Sequence, residues 1–442
     1  MKVTRLPVDT GTAAWNALLP QALPAVRLET QVTTDFLIVG AGFSGLAAAR
    51  RLTQLDSAAS VIVVDATRIG EGPAGRNSGF MIDLPHELSA ADYATTQDND
   101  RAQIALNRKA ISFARDAVTE LGISREAFDE TGKVNGAAAE AAHQHNLDYA
   151  DHLKRLGEPH EMLDADAMHT MTGSRFYRSG LYTPGTVLLQ PAAFVRGLAD
   201  GLANRATVFE NTPVLSLERQ GTAWLAKTPS GSISANSVIL ATNGHIESFG
   251  FFKREVFHVM LYASMTRPLS KSEDTETGED RWGITPSDPA GTTLRKFRHG
   301  GKARIITRNQ MSYVPEMEIS PAHLESVKQR HIQSFANRYP ALCDVQQEFV
   351  WSGRLCLSRN SAPAFGRLDD GLYAACCQNG LGTTRGTLSG MAAAEMAYEG
   401  ETELVKTLLA QGSPKRLPPA PLDTLGANAF MRWSEFKARK EI

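Results

Sequence analysis

Hydrophobic residues near the start of the chain occur in two short unbroken runs separated by a helical stretch. Residues 36–39 and 61–64 are wholly apolar, a pattern typical of strands that are buried on both faces of a parallel sheet. Between them, residues 46–52 are rich in alanine and contain no helix-breaking residue, which predicts a helix. The order strand, helix, strand predicts a βαβ unit.

The turn after the first run has the pattern Gly-x-Gly-x-x-Gly, formed by Gly40, Gly42 and Gly45. In such a unit the first glycine permits the tight turn, the second lets a pyrophosphate approach the backbone, and the third lets helix and strand pack closely. The second run ends in Asp65, where the acceptor for a ribose hydroxyl belongs. Together these features predict a dinucleotide site, with the phosphates at the helix N-terminus.

An irregular, glycine-rich segment follows at residues 68–79. Its four glycines and one proline exclude a helix or a central strand. A dehydrogenase that uses NAD would usually continue with further βα units at this point. The position of the segment directly after Asp65 favours a loop that closes over a bound cofactor, and the alternative is an ordinary surface loop.

The remainder of the chain mixes helical and strand patterns. Residues 86–176 have a helical period, short strand-like runs lie within residues 207–241, and residues 321–338 predict an amphipathic helix. A second glycine-rich turn, residues 379–386, lies between an apolar strand and a helix of small residues. No strand ending in an acid follows it at the distance of a second dinucleotide fingerprint, so no NADPH domain is predicted.

Composition and charge exclude several classes of protein. The 442 residues are 42% hydrophobic and 21% charged, which is ordinary for a globular protein. A formal net charge of −2 argues against nucleic-acid binding through phosphate contacts. No apolar run approaches the ~20 residues that span a bilayer, and the start does not resemble a secretory signal. We therefore expect a cytoplasmic protein. Its four cysteines show neither metal-site nor disulfide spacing, and no metal site is predicted.

In their order along the chain, these motifs resemble the FAD-dependent amine and amino-acid oxidoreductases of the D-amino-acid-oxidase family, which includes glycine and sarcosine oxidases. Besides the first glycine pattern and Asp65, the resemblance rests on residues 75–79, Gln190-Pro191, residues 241–244, Trp351-x-Gly353, Pro363-x-x-Gly366 and Gly380-x-Gly382. Residues 358–366 and 416–418 are similar to the γ-glutamylputrescine oxidoreductase-like branch. Glycine-oxidase-like members carry Thr-x-Asp where this chain has Ser358-x-Asn360, a departure that disfavours a glycine-type substrate.

The resemblance implies an α/β fold combined with α+β: a Rossmann-like FAD-binding domain interleaved with a substrate domain built on a mostly antiparallel sheet plus helices. We expect the FAD-binding domain to comprise residues 33–85, 190–250 and 350–402. The substrate domain is expected to comprise residues 86–189 and 251–349. Residues 1–32 are expected to form an N-terminal leader, and residues 403–442 a linker and a helix.

For the cofactor, the resemblance implies FAD. We expect it to be bound non-covalently, because residues 76–79 contain no histidine and Cys356 falls near, but not at, the position of the cysteine that carries flavin in sarcosine-oxidase-like members. It places the backbone N–H groups of residues 380–383 near the flavin pyrimidine ring, where the positive end of a helix stabilises reduced flavin. The residues expected to bind FAD are Gly40, Gly42, Phe43, Ser44, Gly45, Asp65, Ala66, Gly75, Arg76, Asn77, Ser78, Val214, Thr242, Asn243, Gly244, Gly380, Leu381, Gly382, Thr383 and Thr384.

The implied reaction is oxidation of a primary or secondary amine, either an amino acid or a carboxylated amine. Hydride would pass from the α-carbon to flavin N5, giving an imine that hydrolyses. The expected partners are this small molecule and O2 or another electron acceptor. Two alternatives are an FAD-dependent oxidoreductase of hydroxy acids and a non-catalytic FAD-binding protein.

Three side chains are candidates for contact with the substrate. His86 follows the glycine-rich loop and has a pKa suited to polarising or deprotonating an amine; the alternative is a half-exposed histidine at a helix start. Arg354 has the guanidinium fork to hold a carboxylate. Glycine-oxidase-like relatives, however, carry arginine where this chain has Leu355, and neighbouring strand residues face opposite sides. Tyr262 is expected on a strand that floors the substrate pocket.

Overall fold

The computed structural model describes residues 1–21, 24–85, 96–419, 421–438 and 440–442. This part of the chain forms two eight-stranded sheets and one three-stranded sheet. The strands are β1 (Gln31–Val39), β2 (Val61–Val64), β3 (Phe80–Met81), β4 (Phe128–Asp129), β5 (Lys133–Ala137), β6 (Glu161–Leu163), β7 (Ser179–Thr183), β8 (Val187–Leu189), β9 (Thr207–Phe209), β10 (Ser216–Gln220), β11 (Ala223–Lys227), β12 (Ser232–Leu240), β13 (Val256–Thr266), β14 (Trp282–Pro286), β15 (Thr293–His299), β16 (Lys302–Tyr313), β17 (Gln347–Ser358), β18 (Ala364–Asp369) and β19 (Leu372–Cys376). The helices are α1 (Ala14–Ala17), α2 (Phe43–Leu55), α3 (Gln97–Glu120), α4 (Glu140–Leu156), α5 (Ala165–Thr172), α6 (Pro191–Leu202), α7 (Lys271–Thr275), α8 (Pro321–Arg338), α9 (Gly382–Tyr398), α10 (Glu403–Leu409) and α11 (Leu422–Lys437).

The first sheet is the expected Rossmann-like unit. Its strands follow the order β10-β11-β12-β1-β2-β9, with β19 beside β12 and β18 beside β19. β1 pairs in parallel with both β12 and β2, and β12 pairs in parallel with β19. The apolar run of β1 is buried on both faces, since Ile38 and Leu37 belong to different hydrophobic clusters. The prediction of a buried parallel strand is therefore confirmed.

Helices α2 and α9 lie against one face of this sheet and pack directly on each other. Glycine permits this contact, because a Cβ on Gly390 of α9 would overlap the carbonyl oxygen of Ser44 in α2. Both helices follow strands that run parallel to β12. They therefore begin at the same edge of the sheet, which is where α/β proteins bind their ligands.

The second sheet has the order β17-β13-β16-β15-β14-β5-β7-β6. Its described pairs are antiparallel, except that β14 runs parallel to β5. Helix α8 packs on β13 through Leu324 and Val327. This mostly antiparallel sheet with its helices confirms the predicted combination of α/β with α+β. The short third sheet has the order β3-β8-β4.

Two segments differ from the domain boundaries expected from the sequence. Strand β17 pairs with β13 along its length, so residues 350–358 belong to the antiparallel sheet rather than to the FAD-binding unit. Helix α3, expected in the substrate domain, buries Ala110 and Ile111 in the cluster that contains α2 and α9. A helical period shows that a helix has an apolar face, but it does not show which core that face joins.

The segment expected as a leader packs into the protein. Trp15 is fully buried, and its ring lies 4.9 Å from that of Phe297 in β15. Strand β1 already begins at Gln31, inside the expected leader. Among the described residues, no helix is both long and apolar enough to cross a membrane.

Candidate active site

A cavity of about 1570 Å³ lies at the edge of the first sheet where α2 and α9 begin. Its wall includes the turns that follow β1, β2, β12 and β19, and residues of β13, β16 and β17. Pockets for single small molecules usually measure about 300–1,000 Å³. The cavity therefore has room for a dinucleotide together with a second small molecule.

The first glycine turn presents bare backbone to this cavity. Gly40 has a φ of +107°, a conformation that a residue with a side chain rarely adopts. Gly42 is the N-cap of α2 and brings no side chain to the N–H groups of the first turn. A Cβ on Gly45 would overlap the carbonyl oxygen of Gly40, so the third glycine closes the turn. The uncapped N–H groups and the positive helix end suit a pyrophosphate.

Asp65 lies at the end of β2 and fixes the geometry of this turn. Its carboxylate accepts hydrogen bonds from the N–H groups of Ala41 and Thr67, each at 2.9 Å. Burial raises the pKa of Asp65. The carboxylate and the neighbouring Ala66 both line the cavity, which places an acceptor where a ribose hydroxyl is expected.

The loop after Asp65 is held in shape by its own asparagine. The Asn77 side chain donates to the Ala74 carbonyl at 2.7 Å and accepts from the Gly79 N–H at 2.8 Å. Two buried indoles hold the loop from outside, because Trp15 donates to the Asn77 carbonyl at 2.8 Å and Trp351 donates to the Arg76 carbonyl at 3.0 Å. The loop is therefore a rigid wall of the cavity.

The guanidinium of Arg76 is used within the protein. It donates to the carbonyl oxygens of Gly11 at 2.7 Å and Ser352 at 2.9 Å, and it forms an ion pair with Asp9 at 3.5 Å. Burial lowers the pKa of Arg76. Arg76 thus joins the N-terminal segment to β17.

A second uncapped helix start faces the same cavity. Helix α9 begins after Leu381 without a side-chain cap. The hydroxyl of Thr383 donates to the Phe80 carbonyl at 2.8 Å, and that of Thr384 donates to the Ile82 carbonyl at 3.1 Å. These bonds fix the helix start beside the segment that follows the loop. Two positive helix ends therefore point into one cavity.

Most residues expected to bind FAD are brought together here. Three of them support the turns without lining the cavity, namely Gly45, Gly75 and Thr384. Those that line it are Gly40, Gly42, Phe43, Ser44, Asp65, Ala66, Arg76, Asn77, Ser78, Val214, Thr242, Asn243, Gly244, Gly380, Leu381, Gly382 and Thr383. A glycine cradle, an acid and two uncapped helix ends fit a flavin dinucleotide.

Two of the three expected substrate contacts, Arg354 and Tyr262, line the cavity, and each is also held by contacts within the protein. Arg354 donates to the Val8 carbonyl at 2.6 Å and forms an ion pair with Asp9 at 3.0 Å. The Tyr262 ring lies 5.3 Å from that of His323 in α8. Arg354 and Tyr262 share the face of the sheet that packs on α8, since Met260 lies opposite Arg354 and clusters with Tyr262. His86 lies outside the described residues.

The other face of the second sheet carries a cationic side chain, Arg308, that was not predicted from the sequence. Arg308 of β16 lies opposite Ala263 of β13 and Thr293 of β15, and all three line the cavity. On the same face, Leu261 lies opposite Gly353. A Cβ on Gly353 would be 3.4 Å from the Arg76 carbonyl oxygen, so this face meets the loop. The available signal was a charged residue two positions after the apolar pair Ile305-Ile306, within a strand-like segment.

One buried lysine lies behind the cavity wall. The ammonium of Lys133 donates to Asn135 and, at 3.2 Å, to the hydroxyl of Thr285. Thr285 lines the cavity. Burial lowers the pKa of Lys133 to about 8.

A Rossmann-like sheet with two uncapped helix starts on one cavity defines a flavin-dinucleotide-binding protein of mixed α/β architecture. Residues 35–396 match the family model described as FAD dependent oxidoreductase, DAO. The chain belongs to this family, and its cofactor is FAD. Both the predicted family and the predicted cofactor are confirmed.

The individual proteins that this chain resembles have low sequence identity to it. The chain is 25% identical over 414 residues to the probable oxidoreductase OrdL of Rhizobium meliloti, covering 90% of this chain and 91% of that protein. It is 23% identical over 381 residues to the γ-glutamylputrescine oxidoreductase of Escherichia coli, covering 84% and 85%. The crystal structure of glycine oxidase from Geobacillus kaustophilus has a TM-score of 0.70 at 18% identity, covering 88% of this chain and 100% of that chain. At 18% identity, this structural similarity shows that the two proteins share a fold.

Proposed function

We propose that this protein oxidises a primary or secondary amine that carries a carboxylate, by hydride transfer from the α-carbon to flavin N5, giving an imine that hydrolyses. The observation that carries the proposal is Arg308, a guanidinium on the sheet face that meets the loop at Arg76. Two relatives support the choice of an amine, since their names describe a γ-glutamylputrescine oxidoreductase and a glycine oxidase.

FAD supplies the hydride acceptor when it is bound. The task of the protein is to hold the amine substrate in one orientation. In this proposal Arg308 donates two parallel hydrogen bonds to the substrate carboxylate, and Thr293 beside it offers a hydroxyl. The α-carbon then lies between this pair and the Arg76 loop.

The same wall favours the reactive, neutral form of the amine. Leu261, Ala263 and Met311 line the cavity around Arg308, and an apolar environment disfavours a charged ammonium group. No side chain needs to act as nucleophile, because the bond change occurs between the substrate carbon and the cofactor. We propose that the electrons leave to O2 or another acceptor and that FAD is held non-covalently.

Anaerobic mixing of the FAD-loaded protein with a panel of amino acids and carboxylated amines tests the reaction. We expect at least one of them to bleach the visible flavin absorbance, with formation of the carbonyl product. Hydroxy acids of matched size should leave the spectrum unchanged. Bleaching by hydroxy acids alone would assign the protein to that class, and bleaching by neither would support a non-catalytic flavoprotein.

A further inference from the structure

The last part of the described chain lines the cavity. We call residues 421–438 and 440–442 the strap; it consists of α11 and the residues after it. Helix α11 contacts β16, the strand that carries Arg308, and it buries Met431. Its residues that line the cavity are Leu422, Asp423, Gly426, Ala427, Phe430, Met431, Trp433, Ser434 and Lys437.

A buried carboxylate anchors the far end of the strap. Glu441 is 4% exposed, and its side chain accepts hydrogen bonds from the N–H groups of Ala138 at 2.9 Å and Ala139 at 2.6 Å. These groups lie at the N-terminal end of α4, where a negative charge is favoured. The carbonyl oxygen of Glu441 also accepts from the guanidinium of the buried Arg338 at 2.7 Å. The strap is thus held both by the contacts of α11 with β16 and by the hydrogen bonds of Glu441 after the helix.

The strap turns an unusual amount of aromatic surface towards the cavity. Phe430 and Trp433 line the cavity but are 61% and 55% exposed, whereas the four other tryptophans are at most 3% exposed. Leu422 adds a third exposed apolar side chain to the same lining. Large exposed apolar groups at the rim of a ligand cavity are typical of a surface that becomes buried by the ligand.

We propose that the strap is the outer wall of the substrate chamber and selects substrates with a bulky apolar group at the end remote from the carboxylate. Phe430 and Trp433 contact that group, and Met311 and Leu261 on the sheet line the chamber with them. Glu441 is a positioning residue that holds the wall in place. The proposal rests on the proposed function, since Arg308 defines the carboxylate end.

Ligand binding without turnover tests the aromatic contact. The FAD-loaded protein is titrated with 3-phenylpropionate and with acetate, and binding is followed by the change in the visible flavin spectrum. In the double variant Phe430→Ala/Trp433→Ala, we expect the Kd for 3-phenylpropionate to rise about tenfold, the order expected for losing aromatic contacts. The Kd for acetate should stay unchanged.

Leu425→Ala is the matched control for this titration. Leu425 is an apolar residue of the same helix, is 63% exposed and does not line the cavity, so both Kd values should equal those of the wild type. A wild-type protein that does not bind 3-phenylpropionate, or a double variant that binds it as tightly as the wild type, would overturn the proposal. Because the titration needs no turnover, failure of every amine to reduce the flavin would contradict the proposed function separately.

Trypsin digestion tests the anchor. In Glu441→Ala the strap loses its hydrogen bonds to α4, so we expect cleavage after Arg432 and Lys437 to become about tenfold faster. Glu403→Ala is the control, since Glu403 is exposed and pairs with Lys406 within its own helix. Equal digestion rates for wild type and Glu441→Ala would show that Glu441 does not hold the wall.

Discussion

The two halves of the cavity are built from different parts of the chain. On the cofactor side, backbone groups form the binding surface. Helices α2 and α9 begin without side-chain caps, and their first N–H groups point into the cavity. Elsewhere in the protein, α6 and α8 begin with caps from Gln190 and Ser320. On the substrate side, side chains of β13, β15, β16 and α11 form the wall. Helices α3, α4 and α11 also begin without a side-chain cap, so it is the position of α2 and α9 on the cavity that suits their N-termini to a ligand.

The largest expected effect is a loss of FAD binding on the cofactor side of the cavity. In Gly42→Val, the new side chain occupies the approach of the pyrophosphate, and we expect the affinity for FAD to fall at least about 100-fold. The flavin content of the purified protein and its recovery on adding FAD measure this effect. Ala105→Val is the control, since it introduces valine at an exposed position of α3 that does not line the cavity. Normal flavin content in Gly42→Val would refute the placement of the site.

The second prediction tests whether Arg354 stabilises the fold or contacts the substrate. Arg354 and Asp9 form a buried ion pair, with side chains 7% and 11% exposed, so Arg354→Ala should cost about 2 kcal/mol of unfolding free energy. The KM for substrate should remain unchanged. Urea unfolding and steady-state kinetics measure the two quantities.

Arg219→Ala provides the matched control for Arg354→Ala. Arg219 pairs with Asp370 on the surface, with side chains 39% and 62% exposed, and such pairs contribute about 1 kcal/mol at most. A raised KM with unchanged stability in Arg354→Ala would instead show that Arg354 contacts the substrate.

The third prediction concerns the pH dependence of stability that arises from the charge buried behind the substrate wall. Burial lowers the pKa of Lys133 from 10.5 in the unfolded chain to about 8 in the folded protein. Between these values the unfolded chain binds more protons, so this group makes stability rise with pH, by up to ~1.4 kcal/mol per pH unit. Below pH 8 both states are protonated and the contribution is constant.

Urea unfolding from pH 7 to pH 10.5 measures this effect of Lys133. The free energy of unfolding of the wild type should rise relative to that of Lys133→Met above pH 8. Lys302→Met removes an exposed lysine and should leave the pH dependence of the wild type intact. Parallel curves for wild type and Lys133→Met would contradict the lowered pKa.

The sequence predicted the cofactor half because its signals are local. Gly40, Gly42 and Gly45 act through spacing within a single turn, and Asp65 follows the next strand directly. The fold class followed from these motifs together with the resemblance. The same reasoning placed the loop at residues 75–79, although the structural use of the Arg76 side chain was not predicted.

The substrate half could not be predicted from alternation along the strands. Gln310 has a φ of +62°, and the pairing of β13 with β16 shifts register beside it. Because of this β-bulge, Arg308 and Met311 lie opposite Ala263 and Leu261 on one face although they are three residues apart. Tyr262 lies on a strand that lines the cavity, as expected, and its ring also packs against α8. The strap reaches the cavity from the far end of the chain, with no local signal.

The role of Arg308 is the most direct test of the division between the two halves. The measurement is the concentration that gives half-maximal anaerobic flavin reduction, for an amino acid and for the corresponding amine without the carboxylate. In Arg308→Leu, we predict that this concentration rises about 100-fold for the amino acid and stays constant for the amine, with flavin content unchanged. An equal change for both compounds, or none for either, would contradict the account.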